Sequence, residues 1–256
     1  MKIVVCIKQV PDTTEIKWTE NNTIQREGVE SIMNPYDVWA LEAALNIKRQ
    51  IPNTFITVMT MGPNQAESML KKAIALGADE GILLSDRKFA GADTYATSKT
   101  LAQAIKEKCP DFDLIICGQF AIDGDTAQTG PSIASKLNLS QVTFVEEIQE
   151  IHNNNLVVTR KIECGTEIVE VRFPALICVL QQTSEPSRAL AAGVIKAANT
   201  PIKIFNADDI ALNPDDVGLK GSPTYVSRAF RPEQRGECKF VNEIGQLILE
   251  IEGENG

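Results

Sequence analysis

The first 140 residues keep switching hydrophobic period, and that alternation constrains the fold more than any single residue does. Lys2–Lys8 is almost continuously apolar and β-branched, the pattern of a strand buried on both faces. Asn34-Pro35-Tyr36-Asp37 then opens a helix. Asn34 can cap it, Pro35 suits its first position, and Asp37 complements the positive end of its dipole. Val38, Leu41 and Leu45 follow as one buried stripe. The same alternation recurs down the chain. Thr54–Met61 reads as a strand, and Gly62-Pro63-Asn64 turns into a helix with Asn64 and Glu67 placed as a capping box and Gly77 as its stop. Glu80–Ser85 and Phe112–Cys117 are further strands. Between them lies a helix begun by Gly91-Ala92-Asp93-Thr94 and buried through Thr97, Leu101, Ala104 and Ile105; a short helix follows at Pro131–Asn138. These lengths predict an α/β fold, a parallel sheet with helices on both faces.

Beyond Ser140 the rhythm changes. Thr143–Ile151, Leu156–Ile162 and Glu167–Phe173 read as a small antiparallel addition, and the apolar run Ala175–Leu180 as a strand that rejoins the main sheet. From Gln181 regular burial fades. Residues 1–184 are therefore expected to form the α/β domain, and 185–256 an extended C-terminal arm suited to packing on another subunit. A polar stretch, Asp12–Arg26, has room for a hairpin around Thr14–Trp18 and Thr23–Gln25.

Composition removes several function classes. Twenty-five Lys and Arg against 34 Asp and Glu leave a net charge of −9, which disfavours nucleic acid as a partner. His152 is the only histidine, so His-based triads and zinc clusters have little to work with. Six cysteines include no Cys-x-x-Cys pair; several sit in apolar runs, as buried thiols in a reducing cytoplasm do. No apolar run approaches the ~20 residues needed to cross a bilayer, and Met1–Val10 is too short for a signal peptide, so a cytoplasmic protein without membrane insertion is expected.

In a parallel sheet, ligands bind beyond the carboxyl ends of the strands. The most informative segment there is Gly118-Gln119-Phe120-Ala121-Ile122-Asp123-Gly124-Asp125-Thr126-Ala127-Gln128-Thr129-Gly130, between a buried strand and a helix start. Gly124, Thr126, Gln128 and Thr129 suit a diphosphate at a helix N-terminus. Asp123 and Asp125 would have to turn away from it. The loop alone reads equally as a decorated helix cap. No Walker-type loop, Gly-x-Gly-x-x-Gly or Ser-Gly-Gly pyrophosphatase loop is present, and no nucleophile, base and orienter triplet can be assembled. The pattern points to binding a nucleotide and not to cleaving one.

Over nearly its full length the chain resembles the β subunit of the electron-transfer flavoproteins. The resemblance is carried by Lys2–Asp12, Asn34–Asp37, Met61-Gly62-Pro63, Ala73–Asp79, Gly118–Gly130, and Val158–Pro174 with Arg160, Glu163, Gly165, Glu167 and Pro174; Cys164 departs from the Gly or Asp expected there. It implies an adenine nucleotide α-hydrolase-like domain, a heterodimer with an FAD-bearing α subunit, and a pocket formed by Cys6, Ile7, Asn34, Pro35, Tyr36, Asp37, Met61 and Gly118, Gln119, Phe120, Ala121, Ile122, Asp123, Gly124, Asp125, Thr126, Ala127, Gln128 and Thr129. Ordinary members hold AMP there; flavin-bifurcating members hold a second FAD reduced by NADH. Asp123–Gln128, Gly91–Thr97 and Val217–Thr224 resemble the bifurcating members, in which ferredoxin or flavodoxin takes the low-potential electron. The implied dehydrogenase partner, for an acyl-CoA, an enoyl-CoA or a 2-hydroxy acid, would dock on the segment Glu185–Ala198 through Leu190, flanked by Arg188 and Lys196. Two other readings stay open: a housekeeping carrier with structural AMP, and a stress-type nucleotide-binding regulator.

Overall fold

The computed structural model describes residues 1–12, 31–182 and 185–227. The hairpin expected at Thr14–Trp18 and Thr23–Gln25 lies outside these residues. The apolar runs become β1 (Lys2–Cys6), β4 (Phe55–Met61), β5 (Glu80–Leu84), β6 (Leu114–Gly118) and β10 (Ala175–Val179), each almost wholly buried. Between the first two, β2 (Gln9–Pro11) and β3 (Ser31–Met33) pair as a small antiparallel ribbon. The amphipathic stretches become α1 (Pro35–Gln50), α2 (Glu67–Leu76), α3 (Thr94–Lys108) and α4 (Thr129–Leu137). Then come β7 (Ser140–Ile151), β8 (Asn155–Ile162), β9 (Gly165–Arg172), α5 (Ala191–Asn199) and β11 (Lys203–Phe205).

One sheet of nine strands runs in the order β11-β5-β4-β1-β6-β10-β7-β8-β9. From β11 to β7 neighbours are parallel, and β8 and β9 are antiparallel to their neighbours. Trp39, Leu41, Met69, Leu70 and Ala197 of α1, α2 and α5 cover one face; Leu101, Ile105, Ile133 and Ala134 of α3 and α4 cover the other. The expected α/β fold with a small antiparallel addition is present. The chain fills β1, β4 and β5 in one direction and then returns to β6 on the far side of β1. Such a reversal opens a crevice beyond the carboxyl ends of the two strands, where doubly wound sheets take ligands.

Three local expectations are corrected. Asn34 places no side-chain cap on α1, and Asn64 opens a 3₁₀ turn without capping α2; its Oδ1 accepts instead from Ser85 Oγ. A cap is a local bond, and a tertiary partner of equal strength can displace it. Burial also does not simply fade after Gln181. β11 joins the sheet edge beside β5, and Ala207, Ile210, Leu212 and Val217 pack into the α3–α4 face.

Candidate functional site

The crevice between β1 and β6 is built on buried polar side chains. The Asp37 carboxylate, in the first turn of α1, accepts from the backbone N–H of Lys8 at 2.7 Å and from that of Gly118. It thereby ties the ends of the two strands together. Burial pushes its pKa from 3.8 up to about 7, against the pull of the N–H groups and Asn34. Asn34, 1% exposed, donates through Nδ2 to the Phe120 carbonyl at 2.7 Å, and its Oδ1 accepts from Ile122 N–H at 3.3 Å. This work explains why it does not cap α1. Gln119, also buried, accepts at Oε1 from Phe144 N–H at 2.6 Å, and its own N–H donates to the Val179 carbonyl at 2.9 Å. Tyr36, Phe120 and Phe144 stack edge to face, with centroids 5.4 and 5.9 Å apart.

Gly118 is required at its position. A Cβ there would lie 2.3 Å from an Asp37 carboxyl oxygen and 2.8 Å from the Tyr36 carbonyl carbon. Beneath the loop, Cys6, Cys117 and Cys178 stand side by side at one register on β1, β6 and β10. Hydrogen bonds to the other two sulfurs, with burial, hold the Cys117 thiol well above its ordinary pKa. Cys117 is therefore a packing group and not a nucleophile. The small size of the three cysteines admits α4, whose Gly130 backs directly onto the Cys178 sulfur.

Past Asp123 the loop becomes exposed. The Asp123 carboxylate is nearly buried, its side chain 7% exposed, and meets Lys8 Nζ at 2.6 Å. Gly124, Asp125, Thr126 and Gln128 are exposed, and a Cβ on Gly124 would touch nothing within 4 Å. Gln128 gives α4 no side-chain cap. The first-turn N–H groups of Thr129 and Gly130 therefore have no intrahelical acceptor, and Pro131 has no N–H at all. With Asp123 paired to Lys8, the α4 N-terminus offers first-turn backbone donors of the kind that can cradle an anion.

The structure brings Cys6, Ile7, Asn34–Asp37 and Gly118–Thr129 together at this crevice, and places Met61 at the carboxyl end of the adjoining strand β4. It also unites two segments that the sequence kept separate. Asp93 caps α3 through Ala96 N–H, accepts from Thr224 N–H and Oγ, and receives on its own N–H the Ser222 hydroxyl oxygen as acceptor. Thr94 Oγ then donates to Gln128 Oε1 at 3.0 Å. Gly91–Thr97 and Val217–Thr224 are thus one wall beside the loop. Phe144 was not expected here; its positive φ of 58° and ring contact leave no sequence signal.

The three residues expected at a docking segment lie elsewhere, around α5. Leu190 is 77% exposed just before the helix, and Arg188 pairs with Glu185 alone among the described residues. Lys196 is committed inward, to the Ala78 carbonyl and to Asp79.

Comparison with known proteins follows the same lines. The sequence profile of the electron transfer flavoprotein domain matches residues 21–210. A subunit named CarD of the caffeyl-CoA reductase-Etf complex of Acetobacterium woodii is 47% identical over 254 residues, covering 99% of this chain and 95% of its own. The electron transfer flavoprotein subunit beta of Thermoanaerobacterium thermosaccharolyticum is 46% identical, covering 98% and 96%. Protein FixA of Azorhizobium caulinodans is 44% identical, covering 98% and 94%.

Proposed function

The chain belongs to the electron transfer flavoprotein family as a β subunit, and on that premise we propose that its switch-point crevice holds FAD and serves flavin-based electron bifurcation. The observation that carries the reading is the open, uncapped N-terminus of α4 behind a glycine with free space around it. Thr129 and Gly130 N–H groups and the Thr126 and Gln128 side chains would hold the diphosphate, with Lys8 keeping Asp123 away from it. The wall made by Asp93, Thr94, Ser222 and Thr224 stands beside the cradle, where the rest of a dinucleotide would lie. Bound there, FAD would supply acceptance of a hydride from NADH and its release as single electrons, one towards the α-subunit FAD and a dehydrogenase, the other towards ferredoxin or flavodoxin.

This chain's own residues position and insulate. Asp37 and Asn34 fix the backbone of both strand ends before any ligand arrives, so little order is lost on binding. Tyr36, Phe120 and Phe144 wall the crevice with apolar surface. The exposed side of residues 185–227 would face the α subunit, and exposed Leu190 would anchor a partner dehydrogenase.

The nucleotide content of the purified αβ heterodimer tests this. Two FAD per heterodimer are expected, with ferredoxin reduction by NADH that requires the high-potential acceptor. One FAD with one AMP would overturn the reading in favour of the housekeeping carrier.

A further inference from the structure

The outer faces of α3 and α4 break the charge pattern of the chain. Overall the sequence carries nine more acidic than basic groups. These two helices carry Lys99, Lys106, Lys108 and Lys136 against a single acid, Glu107. Between them runs a shallow groove lined by Tyr95, Lys99, Gln103, Lys106, Lys136 and Leu137. The Lys136 ammonium sits 4.0 Å from the centroid of the half-exposed Tyr95 ring and donates to Ser132 Oγ at 2.8 Å. Lys99 meets Asp216 at 2.8 Å on one flank, and Lys106 pairs with no carboxylate among the described residues. Burial and the neighbouring Lys99 pull the Lys136 ammonium below its ordinary pKa, against a weaker opposing pull from Asp93. The cluster therefore holds like charges close together without enough anions of its own.

Its position gives it a use. Tyr95 follows Thr94, whose hydroxyl bonds Gln128 of the cradle, so the groove begins one residue from the cofactor wall. We infer that this groove is the docking surface for a small acidic one-electron carrier protein, the chemistry shared by ferredoxins and flavodoxins. The inference rests on the bifurcating reading and deepens it by giving the low-potential partner a place. Carboxylates of the carrier would meet Lys106 and Lys136, while the Tyr95 ring supplies apolar contact at the centre. Lysines at such a face act mainly on association rate and salt dependence.

The test uses the intact αβ heterodimer with NADH, the high-potential acceptor and a bacterial ferredoxin. For the triple variant K99E/K106E/K136E, ferredoxin reduction at low ionic strength should fall about tenfold or more, through a raised KM, and lose its salt dependence. Single-turnover reduction of the flavins by NADH alone should match the wild type. The charge-preserving K99R/K106R/K136R should retain wild-type KM. A glutamate variant with wild-type KM for ferredoxin overturns the docking site and leaves the bifurcating reading standing. One that no longer assembles with the α subunit also overturns it, since the groove is then the subunit face. If the wild-type heterodimer holds AMP and reduces no ferredoxin, both fall.

Discussion

The two halves of the Gly118–Gly130 loop are built on opposite principles. In the stem, Gln119, Phe120 and Ile122 are held by a buried side chain or by neighbouring strands: Asn34, Phe144, Val179. In the tip, Gly124–Gln128 is largely exposed and touches the rest of the protein chiefly through the Thr94–Gln128 bond. The difference separates two demands on one segment. A stem locked before binding sets the direction of the α4 N-terminus, and a free tip adapts to whatever lies on it.

Gly118→Ala breaks the stem hardest. The new Cβ collides with the Asp37 carboxylate and Tyr36 backbone, and a loss of about 3 kcal/mol in urea unfolding is expected. Asp37→Ala comes next, at about 2 kcal/mol, because two strand-end N–H groups lose a buried acceptor. Asp37→Asn sharpens the point through pH. A carboxyl raised to about 7 when folded binds more protons than the unfolded chain between pH 4 and 7, so its contribution to stability grows as pH falls through that window. Carboxyls held low, such as Asp79 and Asp93, act in the reverse sense and only below their ordinary range. Wild-type urea midpoints should therefore rise from pH 7.5 to pH 5 relative to Asp37→Asn; parallel profiles would show that Asp37 does not titrate there.

The tip should respond differently. Lys8→Met leaves the Asp123 carboxyl, whose side chain is only 7% exposed, without its cation; it should cost about 1 kcal/mol or more and free Asp123 to face the cradle. Faster loss of bound nucleotide on gel filtration, beyond what the lowered urea midpoint explains, is the expected result. Gly124→Ala should shift stability by less than about 0.5 kcal/mol, since its Cβ meets only open space. If it lowers FAD content without touching the fold, the tip lies against the ligand.

The parallel core was legible because strands covered on both faces are written as unbroken apolar runs, from Val4-Val5-Cys6 to Leu176-Ile177-Cys178. β2, β3 and β11 were not, being three residues each and too short to show a period. Asn34 and Asn64 misled for one reason: their local options as caps lost to distant partners, Phe120 and Ser85. In the site, the glycine and hydroxyl content of the loop pointed to its chemistry. The alliance of Asp93 with Ser222 and Thr224 did not show, since those residues stand about 130 positions apart and nothing local marks the pairing.

The slot between β6 and β7 has a consequence for biosynthesis. It is filled by β10, which the ribosome delivers only after the whole β7–β9 ribbon. Until Val179 has left the exit tunnel, Gln119 has no carbonyl to meet, and one wall of the crevice stays an open sheet edge. A nascent chain can thus assemble its first four parallel strands early, while the wall that β10 supplies is completed only when about seven tenths of the polypeptide lies outside the tunnel.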